Sequence, residues 1–499
     1  MFKTKSLSTN KKLNYFLSFL LMIAPLIPVL IIQLYYTLFY CGDSNLLTFS
    51  PQWSDELSHF RITRDILEYG EPLGYYGYNG SHAILFSGVW SPLRELGYVL
   101  YGLCFGFEHY SPLVANILFL CFANLFFILL TKPSNKQLFL LICFNLTSYC
   151  FIYFTFSCMS ECFFYALAII ACGILYRLQF KHTSLFFKYV VSPLYFLLCG
   201  LICVSLIIFI GVYFLIIFKK YSLRKNICLT TLLSAICLVM TYMFSISIEA
   251  PYPESWSNPF SASHLNSIYG FVKKQMVNIP TNSVPVFTYS FALFVILCCF
   301  CIYFFLRMIR KKDARFPEML CVTLLLFGFF GALFIMYPSE SLWRNLLIIL
   351  VFTLYALILL VPEKKLFCLL ISCALIGTLL CNSNCLNNVA THHIDKNFVY
   401  DNAEEETALL HRLIEINPEK GKWENTVLIF STNYLFLPTG AGINLYLSPK
   451  INIPTEIGYA MVDVTLSKYD DISIALTNAG YIEIHKDDTY AIYENTRYR

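Results

Sequence analysis

Residues 51–70, PQWSDELSHFRITRDILEYG, hold a dense run of groups able to move protons or grip charge in an otherwise apolar chain. Adjacent carboxylates, Asp55 and Glu56, are followed by His59, Arg61, Arg64, Asp65 and Glu68. Ser54 is a good helix N-cap, which places both carboxylates in a first helical turn, where the helix dipole favours them. Asp55 and His59, four apart, share a helix face, while Leu57, Phe60 and Leu67 supply apolar contacts. A carboxylate so placed can take a proton from an acceptor hydroxyl while bound substrate excludes water. An ordinary capped surface helix would carry the same first turn, so the pattern alone leaves both readings open.

Two more polar clusters sit at the ends of apolar runs. Glu161, in CMSECFF, is an ionisable residue at membrane depth, which makes it a functional candidate; a carboxylate touching interfacial water is the alternative. The stretch YPSESLWRN gathers Glu340, Arg344 and Asn345, with Arg344 one turn inside an apolar helix beside Trp343. A guanidinium there can grip phosphate through two parallel N–H bonds, or it can snorkel toward headgroups. Lys273 and Lys274 form a further basic pair in a polar loop. His392 and His393 have no third ligand type nearby. The 20 cysteines are scattered through apolar runs rather than spaced as a framework, so most behave as small hydrophobes. Cys381 and Cys385 could pair if oxidised, and nothing has zinc-site spacing.

The elements that must position these groups are helices in lipid. The 499 residues are 58% hydrophobic and 13% charged, with mean hydropathy +0.63, whereas soluble domains carry about 25% charged residues. The net charge of +4 averages two unlike parts. Residues 382–499 have 9 Lys and Arg against 16 Asp and Glu, a balance of −7, and the rest is basic by 11. The chain therefore reads as a membrane portion, 1–381, with polar loops at 41–110 and 249–285, followed by a soluble domain, 382–499.

An apolar run at 15–40 is too long for a signal-peptide core of about 7–15 residues. Runs long enough to cross a bilayer follow at 111–131, 137–155, 159–177, 227–248, 286–307, 317–336, 342–361 and 366–381. Lys and Arg in short loops stay cytoplasmic. That rule puts the N-terminus inside and the Asp55–Glu56 loop outside. It holds for later loops only if the run 190–218 splits near residues 200–204 into two short passes. The expectation is eleven spans in a plasma membrane, with an extracytoplasmic C-terminal domain. The segment 91–102, SPLRELGYVLYG, mixes aromatics with Arg94 and Glu95 and suits a helix in the headgroup layer. In the tail, strands at 426–431, 443–448, 481–486 and 490–495 with a helix over 404–416 predict a small α/β or α+β domain.

A first span followed by an outer loop that opens with Asp-Glu resembles the GT-C glycosyltransferases. DELSHFRITRDILEYG (55–70) is similar to the Asp-Glu loop of their protein O-mannosyltransferase and aminoarabinose-transferase branch. SPLRELGYVLYG matches the segment that follows there, MSE (159–161) an acidic turn, and WRNLLIIL (343–350) a late Arg-bearing helix. The His-Pro-Pro element of the mannosyltransferases is absent, with Ser91-Pro92 in its place. The resemblance implies transfer of a sugar from a polyprenyl-phosphate donor to a glycan, lipid or protein acceptor. It makes Asp55 the general base and Glu56 its helper. His59, Glu161, Glu340, Arg344, Lys273 and Lys274 become substrate-binding candidates, with Arg344 on the lipid phosphate. No cofactor is required, although paired carboxylates leave room for a divalent cation. Membrane lipids are expected partners and nucleic acid is not. The alternatives are a transporter or flippase, which needs polar or broken helices at the bilayer midplane, and another lipid-carrier-dependent envelope polysaccharide enzyme.

Overall fold

In the computed structural model, the described residues are 11–39, 54–70, 76–78, 93–247, 270, 285–336, 339–361, 403–417, 423–430, 437–446 and 451–499. In chain order the elements begin with α1 (Lys11–Ile23), α2 (Leu26–Phe39), α3 (Ser54–Tyr69), β1 (Tyr76–Tyr78) and α4 (Leu96–Phe105). The apolar runs then give α5 (Ser111–Thr131), α6 (Asn135–Thr147), α7 (Tyr149–Thr155), α8 (Glu161–Phe180), α9 (Ser192–Ile202), α10 (Ile208–Ile217) and α11 (Leu223–Ser247). Three long helices follow, α12 (Pro285–Lys311), α13 (Phe316–Met336) and α14 (Ser339–Leu360). The tail holds α15 (Ala403–Leu413), β2 (Thr426–Phe430), β3 (Gly442–Leu445), β4 (Tyr459–Asp463), α16 (Tyr469–Asn478), β5 (Tyr481–Lys486) and β6 (Tyr490–Asn495).

The chain separates into two units. One comprises Met1–Phe49, Pro112–Thr241 and Pro259–His393; the other comprises Ser50–Ser111, Tyr242–Asn258 and Ile394–Arg499. The division expected from charge and hydropathy, at 381/382, left the first polar loop with the membrane helices. The contacts group that loop with the tail.

The first unit is the membrane bundle. Among the described residues six helices are long and apolar enough to cross a bilayer, or up to eight spans if each of two bent pairs is one. The bent pairs are α1 with α2, at 61°, and α6 with α7, at 51°. Together with the two short arms α9 and α10 these cover ten of the eleven expected runs; the run 366–381 lies outside the described residues. Helix α14 is the centre, its Leu342–Leu360 stretch almost wholly buried against α8, α12 and α13.

The first bend has a local cause. Pro25 has no N–H to give the Leu21 carbonyl four residues back, and Asn124 of α5 donates to that oxygen instead at 3.1 Å. Asn124 also donates to Asn145 Oδ1 at 3.0 Å. Asn145 donates to the Tyr355 oxygen at 2.8 Å, and Tyr355 donates back to Asn124 Oδ1 at 2.8 Å. A buried polar ring in which every amide is partnered ties α5, α6 and α14 to the first bend, and such closure specifies one arrangement. At the end of α7, Asn116 donates to the carbonyls of Phe154, Thr155 and Ser157 at 3.2, 3.2 and 2.7 Å, groups that a helix terminus leaves without partners.

The run 190–218 is broken where the loop charges require it. Cys203 leaves helical geometry, with φ −148° and ψ 113°. The chain folds back so closely that a side chain at Gly200 would collide with Ile207. Farther down the arms, the Tyr213 hydroxyl donates to the Lys188 carbonyl at 2.9 Å. The result is an antiparallel hairpin with arms at Phe187–Ile202 and Ser205–Ile217, about 20–24 Å long at 1.5 Å per residue, short of the roughly 30 Å hydrocarbon core.

The second unit is built on a six-stranded mixed sheet in the order β1-β3-β2-β4-β6-β5. The first four run parallel, and β6 and β5 close the edge antiparallel. The four strands expected in the tail form, three within a residue of the expected bounds and β3 ending three residues early. Strand β4 and helix α16 were not expected; β4, like β2 and β3, is buried along nearly its whole length. Val462, Ile472, Leu476, Tyr481 and Tyr493 fill the core beneath them. Gly458 fits because any Cβ there would strike the Glu424 backbone, and its amide donates to the Trp423 carbonyl at 2.9 Å.

Candidate functional site

Helix α3 forms over the expected stretch and starts at Ser54, so Asp55 and Glu56 occupy its first turn. Glu56 is completely buried, and His59, Arg61, Thr63 and Asp65 are buried with it. That separates α3 from an ordinary solvated amphipathic helix, because burying several charges is costly unless each is satisfied. His59 Nδ1 lies 2.7 Å from Glu95 Oε1, both groups buried. Arg61 donates to three backbone carbonyls, those of Leu437 at 2.8 Å, Pro438 at 2.5 Å and Ala441 at 3.3 Å. Asp65 accepts the Gly440 amide at 2.6 Å.

Around this polar seam the packing is aromatic. Phe60 stacks on His109, centroids 5.6 Å apart, and touches Phe107 at 5.2 Å. Burial and, next, the positive charge of Arg64 push the His109 pKa down to about 4. His411 of α15 is lowered for the same reasons, burial first and then Arg64 and Arg61. At α4 and the turn that leads into it, polar and apolar groups separate. Arg94, Glu95, Tyr98 and Tyr101 turn inward, and Leu100, Leu103 and Phe105 are exposed.

In the membrane unit, Glu161 and Arg344 come together although 183 positions separate them in the chain. Arg344 Nε lies 3.0 Å from Glu161 Oε1, and both residues are buried. Glu161 opens α8 and so sits in the favourable field of a helix N-terminus. Arg344 is in the second turn of α14, whose Trp343 packs edge-on to Phe291 at 5.2 Å. The guanidinium is thus paired inside the protein rather than snorkelling to headgroups. One turn along α8, the Tyr165 hydroxyl is buried with no hydrogen-bond partner among the described residues.

Of the remaining candidates, Glu340 falls in the first turn of α14. The side chains of Asp55 and Glu340, and all of Lys273 and Lys274, lie outside the described residues, as do Cys381, Cys385, His392 and His393. The 15 cysteines that are described are free thiols. Among the described residues no three His, Cys, Asp or Glu side chains converge as metal ligands.

No protein-family profile and no curated protein sequence matches the chain. Solved structures do. An oligosaccharyltransferase of Archaeoglobus fulgidus, crystallised with Zn and sulfate, superposes on 96% of this chain and 73% of its own, at 12% identity and a TM-score of 0.50. The fold is that of the GT-C glycosyltransferases. The GT-C likeness extends over both units, since nearly the whole chain is covered. ArnT from Cupriavidus metallidurans, bound to undecaprenyl phosphate, covers 94% of this chain and 98% of its own at 10% identity and a TM-score of 0.46.

Sequence reasoning named Asp55, Glu56, His59, Glu161 and Arg344. It gave no role to Glu95, and it noted Arg61 and Asp65 without assigning them one. Their signal was their charge alone, Arg61 and Asp65 within a polar run and Glu95 at the head of an aromatic one. Which backbone carbonyls or carboxylate would satisfy that charge was not legible.

Proposed function

We propose that this protein is a membrane glycosyltransferase that moves a sugar from a polyprenyl-phosphate donor to an acceptor hydroxyl at the extracytoplasmic face. The observation that carries the reading is α3. In a chain with a GT-C fold, it opens on Asp55-Glu56 and buries Glu56. The fold gives analogy alone; the argument for activity is the chemistry of these side chains.

Asp55 acts as general base and takes the proton of the acceptor hydroxyl. The acceptor oxygen forms its bond to the anomeric carbon as the bond from that carbon to the phosphate oxygen breaks. The lipid phosphate leaves with the electron pair. Its developing charge needs a cation, and Arg344 is the residue proposed to meet it, with Lys273 and Lys274 as further cations. Glu161 holds the Arg344 guanidinium in orientation until the phosphate arrives. Glu56 and His59 orient the sugar or the base, and Glu340 contacts substrate. A divalent cation beside the carboxylates is compatible with hard oxygen ligands.

The orientation proposed has the N-terminus cytoplasmic and the C-terminal domain outside; reporter fusions after residues 48, 225 and 400 should read outside, inside and outside. The decisive assay gives purified protein a panel of radiolabelled polyprenyl-phosphate sugars, wild type against Asp55→Asn. Sugar release or transfer that disappears in a folded Asp55→Asn protein supports the reading. Turnover unchanged in that variant removes it.

A further inference from the structure

Two consecutive elements of the first polar loop are built into one short stretch of the tail. Residues 437–441 receive α3, and β3, directly after them, receives β1. Arg61 and Asp65 lie four apart and so on one face of α3. That face meets the 437–441 turn through four hydrogen bonds, three from the guanidinium to carbonyls and one from the Gly440 amide to the carboxylate. Gly440 has φ +83°, a left-handed conformation that L side chains rarely adopt, and so aims its amide at Asp65. Seven residues past the end of α3, β1 joins the sheet in parallel with β3, Tyr76 opposite Ile443 and Tyr78 opposite Leu445. Both charged groups of the clasp are buried, and such groups hold one geometry because every alternative leaves a charge without partners.

We propose that the C-terminal domain is the positioning scaffold of the Asp55–Glu56 turn, with Arg61 and Asp65 as its positioning residues. This rests on the reading of Asp55 as the base. From Arg61 to Asp55 is six residues of one helix, about 9 Å at 1.5 Å per residue. The same rigid rod that carries the carboxylates is therefore gripped by the tail less than two turns away. Neither residue touches substrate. Their effect is on where the first turn of α3 stands, and a misplacement of about 1 Å can cost a reaction about 100-fold.

The test uses the full-length protein and two readouts. Hydrogen exchange follows the α3 amides without needing any substrate. Steady-state transfer from a polyprenyl-phosphate sugar then separates kcat from the KM of the donor. Arg61→Gln is expected to speed exchange in α3 while leaving that of α14 as in wild type. It should lower kcat by about 10- to 100-fold with donor KM within about twofold. Arg61→Lys, which reaches fewer of the three carbonyls, should fall between. Asp65→Asn, whose side-chain oxygen still accepts the Gly440 amide, should lose less than Asp65→Leu. Unchanged α3 exchange in Arg61→Gln overturns the clasp whatever the activity shows. Faster exchange with wild-type kcat, in a protein that Asp55→Asn inactivates, overturns the positioning role and leaves the proposed function standing. Full activity of Asp55→Asn overturns both.

Discussion

Breaking the Glu161–Arg344 pair from each side in turn separates its structural contribution from its chemistry. The Nε–Oε1 distance is 3.0 Å and both side chains are buried. Removing one partner of such a pair leaves an uncompensated charge and costs about 3–5 kcal/mol. The two sides are not equivalent. Glu161 is the first residue of α8, and a helix N-terminus stabilises a partly buried carboxylate by up to about 2 kcal/mol. Arg344→Gln therefore costs about 1–3 kcal/mol, and Glu161→Gln, which strands the guanidinium, the full 3–5 kcal/mol or so. With both replaced by Gln no buried charge remains, and the double variant should return to within about 1–2 kcal/mol of wild type. Unfolding free energies of the four proteins, measured in bilayers by trapping the unfolded state, give the cycle. Activity should not follow stability, because the double variant lacks the guanidinium proposed to meet the departing phosphate. Single-variant costs that simply add, with coupling under about 0.5 kcal/mol, would show that no such pair exists. Transfer activity restored along with stability in the double variant would remove Arg344 from the chemistry.

Other expectations concern the scaffold. Asn124→Leu strips partners from the Leu21 carbonyl, Asn145 and Tyr355 together and should cost about 2–4 kcal/mol; the same bilayer assay checks it, and a loss below about 1 kcal/mol would mean that the ring is replaced by other contacts. His109 has its pKa near 4 when folded against 6.5 for an ordinary imidazole. Between those values the unfolded chain binds a proton that the folded chain refuses. Stability should fall as pH drops from about 6.5 to about 4, by up to about 3 kcal/mol. His109→Phe, which keeps a ring against Phe60, should flatten that slope in urea melts, and a wild-type curve already flat across the window contradicts the assignment. Gly458→Ala drives a methyl into the Glu424 backbone, which cannot yield as a flexible side chain could. A loss of about 2–3 kcal/mol should appear as a lower melting temperature, and an unshifted one would place the two strands farther apart than described.

The sequence by itself determined the membrane helices, because hydrocarbon selects a composition that can be read one residue at a time. Four tail strands were legible too, and the break in the run 190–218 followed from the loop charges rather than from its own apolar residues. There the loop charges Lys188, Lys219 and Lys220 demanded a turn that Cys203 and Gly200 supply. The sequence also marked Asp55, Glu56, Glu161 and Arg344 as out of place in their surroundings. Tertiary structure alone decided their partners. Glu161 meets Arg344 across 183 positions, and Arg61 finds its three carbonyls some 376 positions away. Strand β1 escaped notice because three residues carry no period. The physical reason is common to all of these. Hydropathy and periodicity are properties of one segment in its solvent, whereas the satisfaction of a buried charge belongs to two segments and exists only once the chain has brought them together.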